Sequence, residues 1–507
     1  MQYNQCYIHQ QVQQIAAADP ERIVIYDNQQ EISYSDLQKM VCQFRQRLTD
    51  LNVTQGDRVA FLSPPSVDYL IAYLAITSYG AIFLGLNPKY TYREFSYVIN
   101  DAEPKVLFSR DVIRGRSYVT DLNKLVEDHA SISHLKIYNH YEELLADKQD
   151  THTNILDYHD PCALIYTSGT TGNPKGALIS HGGLVECCLA QHHAVNLERP
   201  VVLNNLPINH IGCIGDMTAY TLIAGGALVF QEKFDAAEVL DFIQQYKISF
   251  WGQIPTMFQL SLDEQDKLPR DLSSVRSIYT SGAPAPIPLL QRLRKICPRI
   301  QNAYGMTETV GSICWVLEGD DELISTSIGK PIAPYQVRVA NESNKEVSNS
   351  MGEIQVKGNM HMVGYWKNPE ATADAYTSDG WLRTGDLAEV LDDGNFRLVG
   401  RIKEMYKSGG YNVYPREVEQ VLEAVAGIAA AIVVAVPDPL FHEVGFAYLI
   451  EETNAKINTD VIPKLVKEYL VNYKIPKYYK VIKNAPQLPN GKIDRPQLSI
   501  DAKKDYS

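Results

Sequence analysis

From about residue 20 to residue 400, short β-rich runs ending in glycine, proline or serine alternate with longer amphipathic stretches, and this alternation constrains the fold more than any other feature. "RVAFLS" precedes "VDYLIAYLAITSYGA", "PKVLFS" follows a helical stretch, and "ISFWGQIP" and "VRSIYTSGAP" each close on small residues. Strands that finish in this way and feed helices define parallel α/β units. Such sheets bind ligands beyond the carboxyl ends of their strands. The loops after "ALIY", "SIYTS" and "IQNAY" are therefore the expected seats of chemistry.

A chain of 507 residues is longer than one hydrophobic core normally supports, so at least two domains are expected. The sequence changes character after "RLVGRIKE": "SGGYNVYPREVEQVLEAVAGIAAAIVVAVPDP" reads as a glycine turn, a helix and a strand, and a lysine-rich segment follows. Residues 403–507 hold 14 Lys plus Arg against 13 Asp plus Glu, so the acidic excess behind the net charge of −13 lies wholly in the larger part. The expected organisation is α/β: a large N-terminal domain, residues 1–402, of α/β subdomains with mostly parallel sheets, then a small α+β domain, residues 403–507. No Pro/Ser-rich linker separates them, which puts a short joint near Arg401 to Glu404.

The acidic balance argues against a protein that coats nucleic acid, which needs a basic face, while leaving a nucleotide ligand open. Eight cysteines (Cys6, Cys42, Cys162, Cys187, Cys188, Cys213, Cys297 and Cys314) form no CxxC pair and read as small buried hydrophobes in a reducing compartment. "MQYNQCYIHQQVQQ" lacks the features of a signal peptide, and no apolar run approaches the roughly 20 residues of a membrane span. A cytoplasmic protein without a transmembrane segment is expected, and a homodimer is left open.

"YTSGTTGNPKG", from Tyr166 to Gly176, follows an apolar run. Gly169, Gly172 and Gly176 allow tight turning and close backbone approach, Thr167, Ser168, Thr170 and Thr171 add hydroxyls, and Lys175 adds a compact charge suited to phosphate. The lysine follows Asn-Pro and precedes glycine, so the GxxxxGK[ST] pattern of P-loop NTPases fails.

This loop resembles the signature of the adenylate-forming superfamily, which includes acyl-CoA synthetases, firefly luciferase and peptide-synthetase adenylation domains. "NAYGMTET" (302–309), "WLRTGDLA" (381–388), "GRIKEMYKSGGYNVYPREVE" (400–419) and "PNGKIDR" (489–495) resemble its further motifs, in the family's order. The resemblance implies activation of a carboxylic acid by ATP and Mg²⁺ with pyrophosphate release, then transfer of the acyl group to a thiol, and it implies that the small C-terminal domain is mobile. Thr167, Ser168, Gly169, Thr170, Thr171, Gly172 and Lys175 would cradle the β- and γ-phosphates. Glu308 would hold Mg²⁺ and Thr307 the α-phosphate. Tyr304, with Asn302, Ala303 and Gly305, would face adenine opposite Gly282, Ala283 and Pro284. Asp386 and Arg401 would bind the ribose. Lys492 would be the catalytic cation between α-phosphate and carboxylate. Lys403 matches the hinge, and Lys407, Ser408, Gly409 and Gly410 would line the thiol's tunnel. One departure stands out: the family often has glycine at His442, which puts a left-handed backbone there in question.

"NNLPINHIGCIGD" (204–216) resembles the segment that carries a gate at the acyl pocket, with His210 beside the acyl carboxylate. Ile211, Trp251, Gly252, Gly282, Gly305, Met306 and Gly311 would complete a largely hydrophobic pocket. Amino-acid-activating relatives place an aspartate early in this segment, whereas here Asp216 lies further along. A fatty or aryl acid is favoured. Coenzyme A is the expected acceptor, because no insertion stands near the hinge; the alternatives are a carrier protein's phosphopantetheine thiol or a non-catalytic nucleotide-binding homologue.

Overall fold

Each apolar run read as a strand is one. A computed structural model describes residues 6–27, 30–150, 155–167, 174–348, 350–452, 455–488 and 493–506. In it "RVAFLS" gives Arg58–Leu62, "PKVLFS" gives Val106–Arg110, "ISFWGQIP" gives Phe250–Gln253 and "VRSIYTSGAP" gives Ser277–Ser281. Contacts divide the molecule into two compact units, Met1–Gln336 with Lys357–Leu382, and Val337–Val356 with Arg383–Ser507.

The first unit holds two large sheets. In the seven-stranded sheet, Pro161–Thr167, Ile82–Leu86, Arg58–Leu62, Val106–Arg110 and His134–Tyr138 run parallel, and Lys175–Ser180 and Gly364–Tyr365 extend one edge, Lys175–Ser180 antiparallel to both its neighbours. In the nine-stranded sheet the parallel centre runs Ile300–Met306, Ser277–Ser281, Phe250–Gln253, Val201–Asn204, Ala227–Phe230 and Ile23–Tyr26. Antiparallel Gly311–Val316 closes on the first of these strands. Helix Val67–Ser78 is buried along its whole length, as a helix apolar on every face must be. Its Tyr69 meets Phe83 of one sheet and Phe230 of the other at 5.9 and 6.2 Å between ring centroids. Its one charge, Asp68, is matched by Arg110 at 2.7 Å, as a buried carboxylate requires.

The second unit contains a four-stranded sheet of Gln336–Ala340, Gly352–Lys357, Leu382–Val390 and Phe396–Arg401. A five-stranded sheet follows, in which the long hairpin Ile428–Asp438 and His442–Glu451 is central. Alternate residues of Ile428–Asp438 serve two cores: Ala431 and Val433 pack with Val418 and Leu422 of helix Pro415–Glu423, while Ile432, Val434 and Val436 pack with Leu498 and Ala502 of helix Arg495–Tyr506. The boundary expected at 402/403 falls inside this unit. The reason is packing: Tyr414 lies against Gly400, whose Cα would carry a Cβ only 3.1 Å from the Tyr414 Cβ, so strand Phe396–Arg401 belongs with the C-terminal block. Among the described residues no helix is long and apolar enough to cross a membrane.

Candidate active site

Thr167 and Lys175 stand opposite each other in the antiparallel pair that flanks the glycine-rich segment. Ser168, Gly169, Thr170, Thr171 and Gly172 lie outside the described residues. Strand Gly364–Tyr365 pairs with Lys175–Ser180 and brings Tyr365 into the site. The Tyr365 hydroxyl donates to Glu308 Oε1 at 2.8 Å, the Thr167 hydroxyl approaches the same oxygen at 3.5 Å, and Lys175 Nζ lies 5.1 Å from the Tyr365 ring centroid. Segments far apart in sequence thus converge on one carboxylate. Burial, and then the charge of Glu308, raise the Tyr365 pKa, so this phenol keeps its proton and acts as a donor. Sequence reasoning missed Tyr365; the signal available was an aromatic pair, "GYW", where a strand could start.

Glu308 and Thr307 are 7% and 8% exposed and lie in the 3₁₀ turn Thr307–Thr309, directly after strand Ile300–Met306. The turn ends on Val310 at φ +60°, a left-handed conformation for a buried β-branched residue, held by the Val310 N–H donating to the Thr307 carbonyl at 2.9 Å. Such strain costs of order 1–3 kcal/mol and is characteristic of functional sites. Gly305 permits the tight pairing beside it, since a Cβ there would lie 2.0 Å from the Gly311 carbonyl oxygen. One buried carboxylate beside the Thr167 and Tyr365 hydroxyls suits Mg²⁺, which binds through one or two carboxylates and completes its shell with phosphate and water.

Gly282, Ala283 and Pro284 are exposed just past strand Ser277–Ser281, and Ser281 pairs with Ala303, so they adjoin the strand end that carries Tyr304. Gly282 takes φ +83°. Tyr304 is 9% exposed and Ala303 is buried. Asn302 is spent on structure: its Nδ2 donates to the carbonyls of Ser327 and Ile324 at 2.8 and 3.2 Å.

His210 is half-buried, and its Nδ1 accepts the Gly212 N–H at 3.0 Å. Ile211 leads into a buried π-helix, Gly212–Ala219. Gly252 faces this helix, and a Cβ there would lie 2.5 Å from Met217 Cε. Met306 is half-buried and Gly311 buried. Trp251, expected in the acyl pocket, is fully buried against Phe258 in a hydrophobic core, because side chains alternate along a strand and it is Gly252 that faces Met217 of the π-helix.

In the second unit, Asp386 and Arg401 are cross-strand partners, with Arg401 Nε 2.8 Å from Asp386 Oδ1. Lys403 is exposed in the 3₁₀ turn Ile402–Glu404. Gly409 and Gly410, at φ +58° and +88°, form the two-residue loop between Tyr406–Ser408 and Tyr411–Val413, a turn that demands positive φ at both positions. Lys407 is exposed and Ser408 buried. His442 adopts φ +67°, so the left-handed backbone persists without glycine. Lys492 lies outside the described residues.

Arg495, in the same motif as Lys492, was given no role by the sequence. Its Nη2 meets the buried Glu419 at 2.8 Å, its Nη1 donates to the Val433 carbonyl at 3.1 Å, and its Nε lies 3.5 Å from Glu404, next to Lys403. The clue was the presence of both Glu419 and Arg495 in the quoted motifs "YPREVE" and "PNGKIDR".

A hydroxyl- and lysine-flanked loop and an acidic turn at strand ends of an α/β sheet define a nucleotide-dependent enzyme. The chain belongs to the AMP-binding enzyme family: that family's model matches residues 12–366, and the AMP-binding enzyme C-terminal domain matches residues 417–492. It is 32% identical over 485 residues to a feruloyl-CoA synthase of Amycolatopsis sp, covering 94% of this chain and 95% of the relative. It is 29% identical over 523 residues to a long-chain-fatty-acid–CoA ligase of Bacillus subtilis (strain 168), covering 95% and 92%. Among solved structures, ATP-bound MatB from Rhodopseudomonas palustris superposes with a TM-score of 0.89 at 26% identity, over 99% of this chain and 100% of that one. The protein is an AMP-forming acid–CoA ligase that uses ATP, Mg²⁺ and coenzyme A.

Proposed function

We propose that the acid is a hydrophobic one, fatty or aryl, and that the reaction runs through an acyl-adenylate formed by the residues singled out above. The observation that carries this reading is the character of the segment around His210: Ile211 and Met217 are buried, and Gly252 packs against Met217, with no lysine or arginine among residues 204–216 to match a second carboxylate. The names of the two relatives, a feruloyl-CoA synthase and a long-chain-fatty-acid–CoA ligase, support it.

A carboxylate attacking a polyphosphate must overcome mutual repulsion, so charge neutralisation and alignment supply the catalysis. When bound, Mg²⁺ screens the phosphates. Glu308 would hold it, oriented by the Tyr365 hydroxyl. Lys175 and the hydroxyl-rich loop bind the departing pyrophosphate, and Thr307 the α-phosphate. Tyr304 and the 282–284 segment receive adenine, Asp386 and Arg401 the ribose. His210, whose Nδ1 accepts the Gly212 N–H and is so fixed in orientation, stands beside the acyl carboxylate. Lys492 stabilises the charge that develops as the anhydride forms. Rotation of residues 403–507 about Lys403 then withdraws Lys492 and brings Lys407 to Gly410 to the thiol. The unpaired cysteines support a cytoplasmic setting.

The test is acid-dependent ATP–pyrophosphate exchange across a panel of fatty, aryl and amino acids, followed by thioester formation with coenzyme A or with a carrier protein. Lys492→Ala is expected to lose at least ~100-fold in exchange while keeping thioester formation from supplied acyl-adenylate, as removal of a transition-state cation would. Equal losses in both half-reactions reject that role for Lys492, and preference for an amino acid rejects the hydrophobic reading.

A further inference from the structure

Both stems of the glycine-rich segment are tied to one helix. Helix Tyr92–Ala102 starts at Thr91, whose hydroxyl accepts the Glu94 N–H, and it buries Phe95, Val98, Ile99 and Ala102 in the core of the seven-stranded sheet. Its Tyr97 and Asp101 are half-buried and four residues apart, so they share a face. The Tyr97 hydroxyl donates to the Pro174 carbonyl at 2.8 Å, on one stem. The Tyr166 hydroxyl, on the other stem, donates to Asp101 Oδ2. The two tyrosine rings meet edge to face, with 6.5 Å between centroids and 83° between planes.

Trp366 adds a third tie. Its Nε1 donates to the Asp101 carbonyl at 3.0 Å, its backbone N–H donates to the Gly176 carbonyl at 2.7 Å, and the Arg58 guanidinium lies 4.9 Å from its ring centroid. Gly176 admits this packing, since a Cβ there would lie 3.2 Å from Tyr166 Cζ and 3.4 Å from Trp366 Cβ. Pro174 lies one residue outside the strand ladder, whose last pair is Lys175 with Thr167, so Tyr97 supplies its carbonyl with a donor that the ladder does not. Burial, and then the hydrogen bond to Asp101, raise the Tyr166 pKa, while burial and the charge of Asp101 raise that of Tyr97, so both phenols keep their protons and donate. Packing alone would accept phenylalanine at both positions. A glycine-containing run gives up much conformational freedom when it closes on phosphate, and ends already held in place lower that cost. The run between these two stems holds Gly169 and Gly172.

We propose that Tyr97 and Asp101 are positioning residues for ATP: through Pro174 and Tyr166 they fix both stems of the phosphate-binding segment before the nucleotide arrives. This rests on the reading of Tyr166 to Gly176 as the cradle of the β- and γ-phosphates. In this role neither residue touches the nucleotide, and each acts through the stem it holds. AMP, which lacks those two phosphates, draws nothing from the clamp. Pinning the stems therefore strengthens ATP binding selectively, by paying part of the ordering cost in advance.

The test is isothermal titration of the full-length enzyme with ATP and, separately, with AMP, both in excess Mg²⁺. In Tyr97→Phe and in Tyr166→Phe the Kd for ATP is expected to rise ~5- to 10-fold, the worth of one anchoring hydrogen bond, while that for AMP stays within about twofold of wild type. Unchanged AMP binding also shows that the variants fold. Asp101→Asn keeps an acceptor for the Tyr166 hydroxyl and is expected to hold the ATP Kd within about threefold. The proposal is overturned if either phenylalanine variant binds ATP as wild type does, or if AMP weakens in step with ATP, the mark of a general structural loss. Lys175→Ala separates the two ways of failing. If it weakens ATP while Tyr97→Phe does not, the clamp alone falls; if it too leaves ATP unchanged, the cradle reading falls with it.

Discussion

At the scale of one residue, Asp216 shows how burial couples a carboxyl's charge to stability. Its folded pKa, about 7, stands above the ordinary carboxyl value of 3.8, so the folded state prefers the protonated form. The sign follows directly: stability from this group is full below pH 4, falls as pH rises through the interval up to 7, and levels off above it. The loss amounts to about 4 kcal/mol at ~1.4 kcal/mol per unit. The groups that face it do not titrate there, since burial pushes Cys187 up to about 12 and raises Tyr279, and Ser312 carries no charge. Unfolding free energies of wild type and Asp216→Ala, measured from pH 4 to pH 8, are expected to diverge in favour of the variant as pH rises; parallel curves would show that the carboxyl is satisfied in solution. Glu308 could be named from the sequence because "YGMTET" is contiguous. Tyr365, which orients it from 57 positions away, arrives through the pairing of Gly364–Tyr365 with Lys175–Ser180 and carries no local mark.

Elements show where local chemistry speaks clearly. Gly409 and Gly410 announce a tight turn, and the hairpin between Tyr406–Ser408 and Tyr411–Val413 needs them. His442 is the counter-example. It opens the strand His442–Glu451 at φ +67°, where a side chain costs roughly 1 kcal/mol more than glycine, because strands Ile428–Asp438 and Tyr406–Ser408 both pair with it and over-determine its backbone. His442→Gly should stabilise the protein by about 0.5–1 kcal/mol, a net of strain relief against the added unfolded-state freedom of glycine. Chemical denaturation checks this, and a destabilised variant would mean that the imidazole makes a compensating contact. Trp251 illustrates the opposite limit. Its apolar character suggested a pocket residue, but a strand sends neighbours to opposite faces, and only the packing of Phe258 shows that Trp251 lies in the core.

The whole molecule works through a division that is not where composition changes. The charge-balanced C-terminal part was expected to begin at Lys403, yet strand Phe396–Arg401 packs with it, so compactness and composition draw different borders. The hinge proposed at Lys403 is a claim about motion. It predicts that Lys403→Pro, which confines φ near −65°, retains pyrophosphate exchange within about threefold while slowing thioester formation at least ~10-fold. Single-turnover assays of each half-reaction check it, and an equal effect on both would remove Lys403 from the hinge. By itself the sequence determined the α/β class, the order of the nucleotide motifs and the residues that carry them, because hydrophobic period, turn chemistry and ligand-binding signatures are local. Only the tertiary structure decided that Tyr365 orients Glu308, that Arg495 joins Glu419 and Glu404, that Asn302 is consumed by backbone carbonyls and that Asp216 is buried beside the Tyr279 hydroxyl. Those facts depend on which distant groups share a buried space, and there the worth of a polar atom is set by its partners rather than by its neighbours in the chain.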